Sequence, residues 1–206
     1  HGAQIINLSL EFVPDQVHSP SQIPQVVSAI RDARRHGVMV VSAAGNDQQR
    51  RLAYPARVPG VVAVGATTQD DCLAAYSNVG SGLALVAPGG GSDAIMPSDP
   101  ACHPGRNLPP IYQMTLSDPP HWGAFGYPSF YIGTSMSVPE VSAAAAMVIA
   151  SGVIGRHPTP DQVLARLQRT ATPLPLGGRQ PNSTYGWGLL NVAASSAPSA
   201  IPSLAP

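Results

Sequence analysis

The spacing of apolar residues changes along the chain, and each change predicts an element. Gln4 to Leu10, with Ile5, Ile6, Leu8 and Leu10, reads as a short strand. From Ser21 to His36 the period lengthens. Ile23, Val26, Val27, Ile30 and Ala33 fall on one face of a helix, and Gly37 supplies its stop. "GVMVVSAAGN" follows, apolar almost throughout, as expected of a strand covered on both faces of a parallel sheet; "PGVVAVGA" and "LALVAPGG" repeat that pattern. Strand, helix and strand joined by short connections predict an α/β fold with a mostly parallel sheet. Ser135 to Ser151 is apolar nearly all round and predicts a buried helix, with Pro139 tolerated in its first turn. A further helix is expected from Thr159 to Ala171, with Asp161 suited to its first turn. Gly89 to Ser129 is rich in Pro, Gly and Ser and shows little periodicity, which predicts a long functional or cross-linked loop. Residues 195–206, "SSAPSAIPSLAP", read as a linker or tail, so the domain is expected to occupy residues 1–194.

Composition narrows the function. A chain of 206 residues is about one domain. Charged residues make up 11% and the formal net charge is zero, which argues against nucleic acid or an anionic membrane as the partner. No apolar run reaches the roughly 18 residues of a membrane span. Cys72 and Cys102 fit a single disulfide in an exported protein about as well as two unrelated thiols; low charge and long loops favour a secreted or extracytoplasmic location. The chain carries neither a signal peptide nor an initiator methionine and opens inside a core strand. It is therefore expected to be a fragment whose N-terminal part is missing.

Two positions carry candidate chemistry. Ser135, after Gly133-Thr134 and at the start of an apolar helix, is either a helix cap or a nucleophile. Free N–H groups and the positive end of a helix dipole would suit the oxyanion that a nucleophilic serine generates, and Gly133 would allow close approach of a substrate backbone. Asn46 ends a core strand at the carboxyl edge of the sheet, where α/β folds bind ligands. Its amide is either a turn-forming group after Gly45 or a fixed neutral donor to an oxyanion.

Taken in order, "INLSL", "VVSAAGND", "YPARVPGVVAVGA", "YSNVGSGLALVAPGG", "GTSMSVPEV" and "YGWGLLNVAAS" resemble successive blocks of the subtilisin-like serine proteases. The resemblance implies a three-layer α/β fold, of which this chain is the C-terminal portion. It implies that Ser135 is the nucleophile, with Asn46 and the Ser135 N–H as oxyanion donors. Ser9, Leu10, Ala43, Ala44 and Gly45 would then flank the substrate and its specificity pocket, with Ala53 near the pocket floor. It also implies polypeptide substrates, a propeptide as a further partner, a cis Tyr54–Pro55 bond and no cofactor beyond a weak structural cation on the Ala56, Val58 and Val61 carbonyls.

The departures are as informative. The Asp-Ser/Thr-Gly and His-Gly-Thr-His blocks that carry the other two triad residues are absent, and are expected upstream. His1, His18, His36, His103, His121 and His157 lack the context of a catalytic base. Glu140 stands where a histidine is usual, and Glu11 replaces a glycine beside the substrate strand, narrowing the site or disfavouring acidic substrates. The expected activity is a serine endopeptidase, with a preference for large apolar residues before the cut. The competing reading is a non-catalytic peptide- or partner-binding module of the same fold. A lipase or esterase would need a Gly-x-Ser-x-Gly elbow, which the residues around Ser135 do not make.

Overall fold

The computed structural model describes residues 2–96, 101–116, 123–128, 131–174 and 181–198. Four strands, β1 (Ile5–Leu8), β2 (Met39–Ala43), β3 (Val62–Thr67) and β4 (Leu83–Pro88), form one parallel sheet in the order β1-β2-β3-β4. Helix α1 (Pro24–Arg35) connects β1 to β2, whose register runs from Ile5↔Met39 to Leu8↔Ser42. Alternation along β2 explains why every residue in it is buried. Val40 points to one face, where it meets Ile23, Val27 and Ile30 of α1 together with Tyr54 and Val58. Met39, Val41 and Ala43 point to the other, where they meet α2 (Thr134–Ser151) and α3 (Pro160–Thr170). Val138, Val141, Ala144, Ala145 and Val148 of α2, with Val163 and Leu167 of α3, complete that core. The result is a three-layer α/β fold with α1 on one side of the sheet and α2 and α3 on the other.

Helix α2 differs from its expected burial in one respect. Ala143, Ala146, Met147 and Ala150 are exposed, with Met147 at 47%. On the side away from β2, β1 pairs with no strand among the described residues, so the sheet ends there. Burial of that stripe depends on what lies beyond β1, which periodicity does not encode. Pro139 also sits one turn deeper than expected. Having no N–H, it leaves the carbonyl of Ser135 without its intrahelical donor. The Ser9 hydroxyl donates to that carbonyl at 2.8 Å.

The chain end departs from the expected linker. A short helix α4 (Val192–Ser196) crosses the 194/195 boundary, and Ser195 is fully buried. Arg166 of α3 donates to the carbonyls of Ser195 (2.9 Å) and Ala194 (3.0 Å) and to that of Ala197. Residues 199–206 of the expected tail lie outside the described residues. The long loop carries a small antiparallel pair, β5 (Thr115–Leu116) and β6 (Phe125–Gly126). A disulfide between Cys72 and Cys102 ties this loop to the segment after β3. Asp93 sits beside it and accepts from the Thr68 hydroxyl and the His103 N–H.

Candidate active site

The site is built where β2 ends and α2 begins. Gly133 precedes α2 with φ 143°, a conformation that glycine adopts at low cost. Its N–H donates to the Gly89 carbonyl and to the Tyr76 hydroxyl, both at 3.0 Å. Tyr76 in turn donates toward the carbonyls of Gly89 (2.7 Å) and Gly90 (2.9 Å), and burial holds its hydroxyl well above the usual tyrosine range. This knot fixes the loop after β4 to the first turn of α2.

Ser135 is half-buried, and its Oγ donates to the Ser9 carbonyl at 3.2 Å. With the reverse bond from the Ser9 hydroxyl, the two serines clasp β1's C-terminal extension to α2. The Ser135 N–H lies in the first turn, where a helix supplies no carbonyl partner. Asn46 stands across from it. Its Oδ1 accepts from the Thr134 N–H (2.8 Å) and the Thr134 hydroxyl (3.0 Å), which fixes which end of the amide faces the cleft. Nδ2 and the Asn46 backbone N–H both donate to Glu11 Oε1, at 2.9 and 3.2 Å. Burial and, after it, the neighbouring Asp47 charge raise the Glu11 carboxyl above its ordinary value, against the lowering effect of the Asn46 bonds.

The remaining sequence-predicted residues divide. Ser9 and Ser135 are joined by two hydrogen bonds, Asn46 is bonded to Thr134 beside Ser135, a Cβ added to Gly45 would lie 3.0 Å from that of Ala53, and Leu10 is exposed. Ala43 and Ala44 turn their side chains into the core. Ala43 packs in the core facing α2, and Ala44 packs with Leu52 and Ala56. Their contribution is backbone, since the Ala44 carbonyl accepts from the Ala53 N–H at 2.8 Å. His18, His36, His103 and His157 make no hydrogen bond to Ser135, and His1 and His121 lie outside the described residues. Glu140, half-buried on α2, has its carboxyl pushed up to about 7 by burial.

Sequence reasoning missed the scaffold. Asn78 Oδ1 accepts from the N–H groups of Asp47 (3.0 Å) and Gln49 (2.8 Å), and its Nδ2 donates to the Ala44 carbonyl and to Asp47 Oδ2, each at 3.3 Å. Thr134 anchors Asn46, and Tyr76 anchors Gly133. All three lie inside the quoted blocks, but their spacing from Ser135 along the chain gives no hint of contact. The Tyr54–Pro55 peptide is cis. In the turn that follows it, the Val58 carbonyl already accepts the Val61 N–H (3.0 Å), and the Arg34 guanidinium donates to the Gly60 carbonyl at 2.6 Å. Carbonyls are the donor set that turn offers, which suits only a weakly held cation. Cys72, Asp93 and Cys102 cluster as metal ligands might, but both sulfurs are committed to the disulfide.

A parallel α/β sheet with a serine at the N-terminus of a core helix, facing an asparagine amide held by the preceding threonine, defines a serine peptidase architecture of the subtilisin type. The profile of the Subtilase family matches residues 1–188, and the chain belongs to that family. It is similar to Subtilisin BL of Lederbergia lenta, 32% identical over 197 residues, covering 95% of this chain and 57% of that protein. An alkaline protease of Alkalihalobacillus alcalophilus is also 32% identical over 197 residues, covering 95% and 40%. Among solved structures, a protease from Pseudoalteromonas arctica superposes with a TM-score of 0.72 at 28% identity, over 94% of this chain and 50% of that one. The prenylagaramide maturation protease PagA follows at 0.66 and 26%, over 95% and 61%. The chain thus spans about half the length of the curated relatives it matches. No helix among the described residues is long and apolar enough to cross a membrane.

Proposed function

We propose that the chain is the nucleophile-bearing part of a secreted serine endopeptidase. In this reading Ser135 Oγ attacks the scissile carbonyl while a histidine takes its proton, and the same imidazolium later protonates the departing amine. Water then cleaves the acyl-serine by the reverse roles. Asn46 Nδ2–H and the Ser135 N–H hold the oxyanion, and the extended segment at Ser9–Leu10 pairs with the substrate backbone. The histidine and its aspartate are assigned to residues preceding His1. A weak structural cation on the Ala56, Val58 and Val61 carbonyls is retained, with no chemical step through it. The disulfide supports export, since such bonds persist in oxidising compartments.

One observation carries this reading. Asn46 is bolted to Thr134, the residue before Ser135, so a neutral donor and the serine sit on one rigid unit. A second observation favours the binding-module reading for the isolated chain: the Ser135 hydroxyl donates to Ser9 and one N–H of the Asn46 amide to Glu11. A fluorophosphonate probe separates the two. The complete gene product should be labelled at Ser135 and lose labelling in Ser135→Ala, whereas the 206-residue chain alone should stay unlabelled. Asn46→Leu in the complete product should lower kcat by roughly 10²–10³ with little change in KM, a magnitude that itself comes from a subtilisin. An unlabelled complete product would leave the binding module standing.

A further inference from the structure

We propose that Glu11 determines specificity at this peptidase site: its carboxylate selects a Lys or Arg side chain immediately before the scissile bond. The inference rests on the peptidase reading and adds to it the class of substrate. Glu11 is held where it can act. The N–H of its neighbour Phe12 donates to the Tyr54 carbonyl at 2.8 Å, which lays this segment across the end of β2. The side chain then turns into the hollow between Gly45 and Ala53. A Cβ on Gly45 would lie 2.5 Å from Glu11 Oε2, so the missing side chain of Gly45 is the space that the carboxylate uses.

The two oxygens are in different states. Oε1 takes both Asn46 donors, while Oε2 is shut off from solvent with no hydrogen-bond partner. A buried, unpaired carboxylate oxygen is costly, and a donor cation relieves that cost. Asp47 stands within hydrogen-bonding reach as a second acid, and its charge helps to raise the Glu11 carboxyl. Among the described residues neither acid has a cationic partner. Arg34, Arg35 and Arg106 pair with Asp161, Asp32 and Asp70, and Arg51 donates to the Pro14 carbonyl. An apolar side chain beside Glu11 would supply no donor to the unpaired oxygen, and an acidic one would meet repulsion. An ammonium or guanidinium group supplies the missing donors and the missing charge.

Glu11 also touches the amide assigned to the oxyanion. Asn46 Nδ2 lies 2.9 Å from Glu11 Oε1, which takes one of its two N–H groups and leaves the other free to donate. A substrate cation on this carboxylate therefore acts beside the Asn46 amide, and its binding is read there.

The test uses the complete gene product and matched peptides with Arg, Lys, Phe, Leu or Glu before the cut. The wild type should favour Arg and Lys over Phe by about tenfold or more in kcat/KM. Glu11→Gln, which keeps the shape and an acceptor for Asn46 but removes the charge, should erase that ratio. A preference for Phe or Leu in the wild type, or an Arg/Phe ratio unchanged in Glu11→Gln, overturns the proposal. Benzamidinium titration, read by NMR at the Asn46 side-chain amide of the same protein, gives a second measurement that needs no turnover. A saturable shift lost in Glu11→Gln supports the proposal, and no shift overturns it. A protein that binds benzamidinium in this way yet is never labelled at Ser135 retires the peptidase reading while keeping Glu11 as a cation-binding residue.

Discussion

Replacing Arg166 by methionine tests how the chain end is held to the core. The guanidinium is 8% exposed and donates from α3 to three carbonyls at the end of α4, those of Ala194, Ser195 and Ala197. A helix C-terminus is the negative end of its dipole, so a cation there gains from the field as well as from the bonds. Methionine preserves most of the aliphatic volume and removes every donor. Hydrogen bonds from a charged group contribute about 1.5–3 kcal/mol each, so three taken separately would exceed 4 kcal/mol. The loss has a lower ceiling, however. A helix of five residues can fray and return its carbonyls to water. The expected destabilisation is therefore about 2–4 kcal/mol by urea titration. Hydrogen exchange should localise it, because the amides of Ser195 and Ala197, bonded to Asn191 and Ala193, should lose protection first. A change below about 0.5 kcal/mol, with those amides still protected, would refute this account of α4, since surface substitutions fall in that range.

Glu140, raised to about 7 by burial, holds its proton more tightly in the folded chain than in the unfolded one, whose carboxyl titrates near 4.5. Stability should therefore be highest below that value and fall as pH rises through 7, by about 1–2 kcal/mol once solvent screening of a half-buried group is allowed for. Glu11, also raised, acts in the same direction, so the readout is the difference between the wild type and Glu140→Gln across pH 4–8; parallel curves would refute it. The Cys72–Cys102 bond closes a loop with a sequence separation of 30, which in the chain-entropy model contributes about 3–4 kcal/mol. Urea midpoints with and without dithiothreitol should differ accordingly, and two free thiols in denatured, unreduced protein would contradict the bond itself.

What could be read from the sequence follows what each residue does locally. β2, β3 and β4 were legible because strands covered on both faces need unbroken apolar runs, and α1 and α3 because one covered face imposes a helical period. Ser135 and Asn46 stood out in the sequence because they follow glycines that the backbone demands, Gly133 at a positive φ and Gly45 at φ 112°. Residues whose role is set by a distant partner did not. The composition around Ser195 is that of a linker, and it is ordered by an arginine 29 positions away. Ala43 continues β2's alternation, so its side chain faces the core. Pro139 reads as a tolerated interruption, yet the carbonyl it frees is the one that Ser9 takes, so the helix defect becomes the joint between the Ser9 segment and Ser135.

Glu11 is the sharpest case of the same division. Its sequence context marks a glutamate where a glycine is usual, and from that alone narrowing or charge selection follows equally. The deciding facts are atomic: one carboxylate oxygen bonded to the Asn46 amide, and the other buried beside Gly45 without a partner. A group that merely narrowed the pocket gains nothing from a buried oxygen with no donor, which costs stability in the resting protein. A cation with N–H donors relieves that cost beside two carboxylates by charge and hydrogen bonding together.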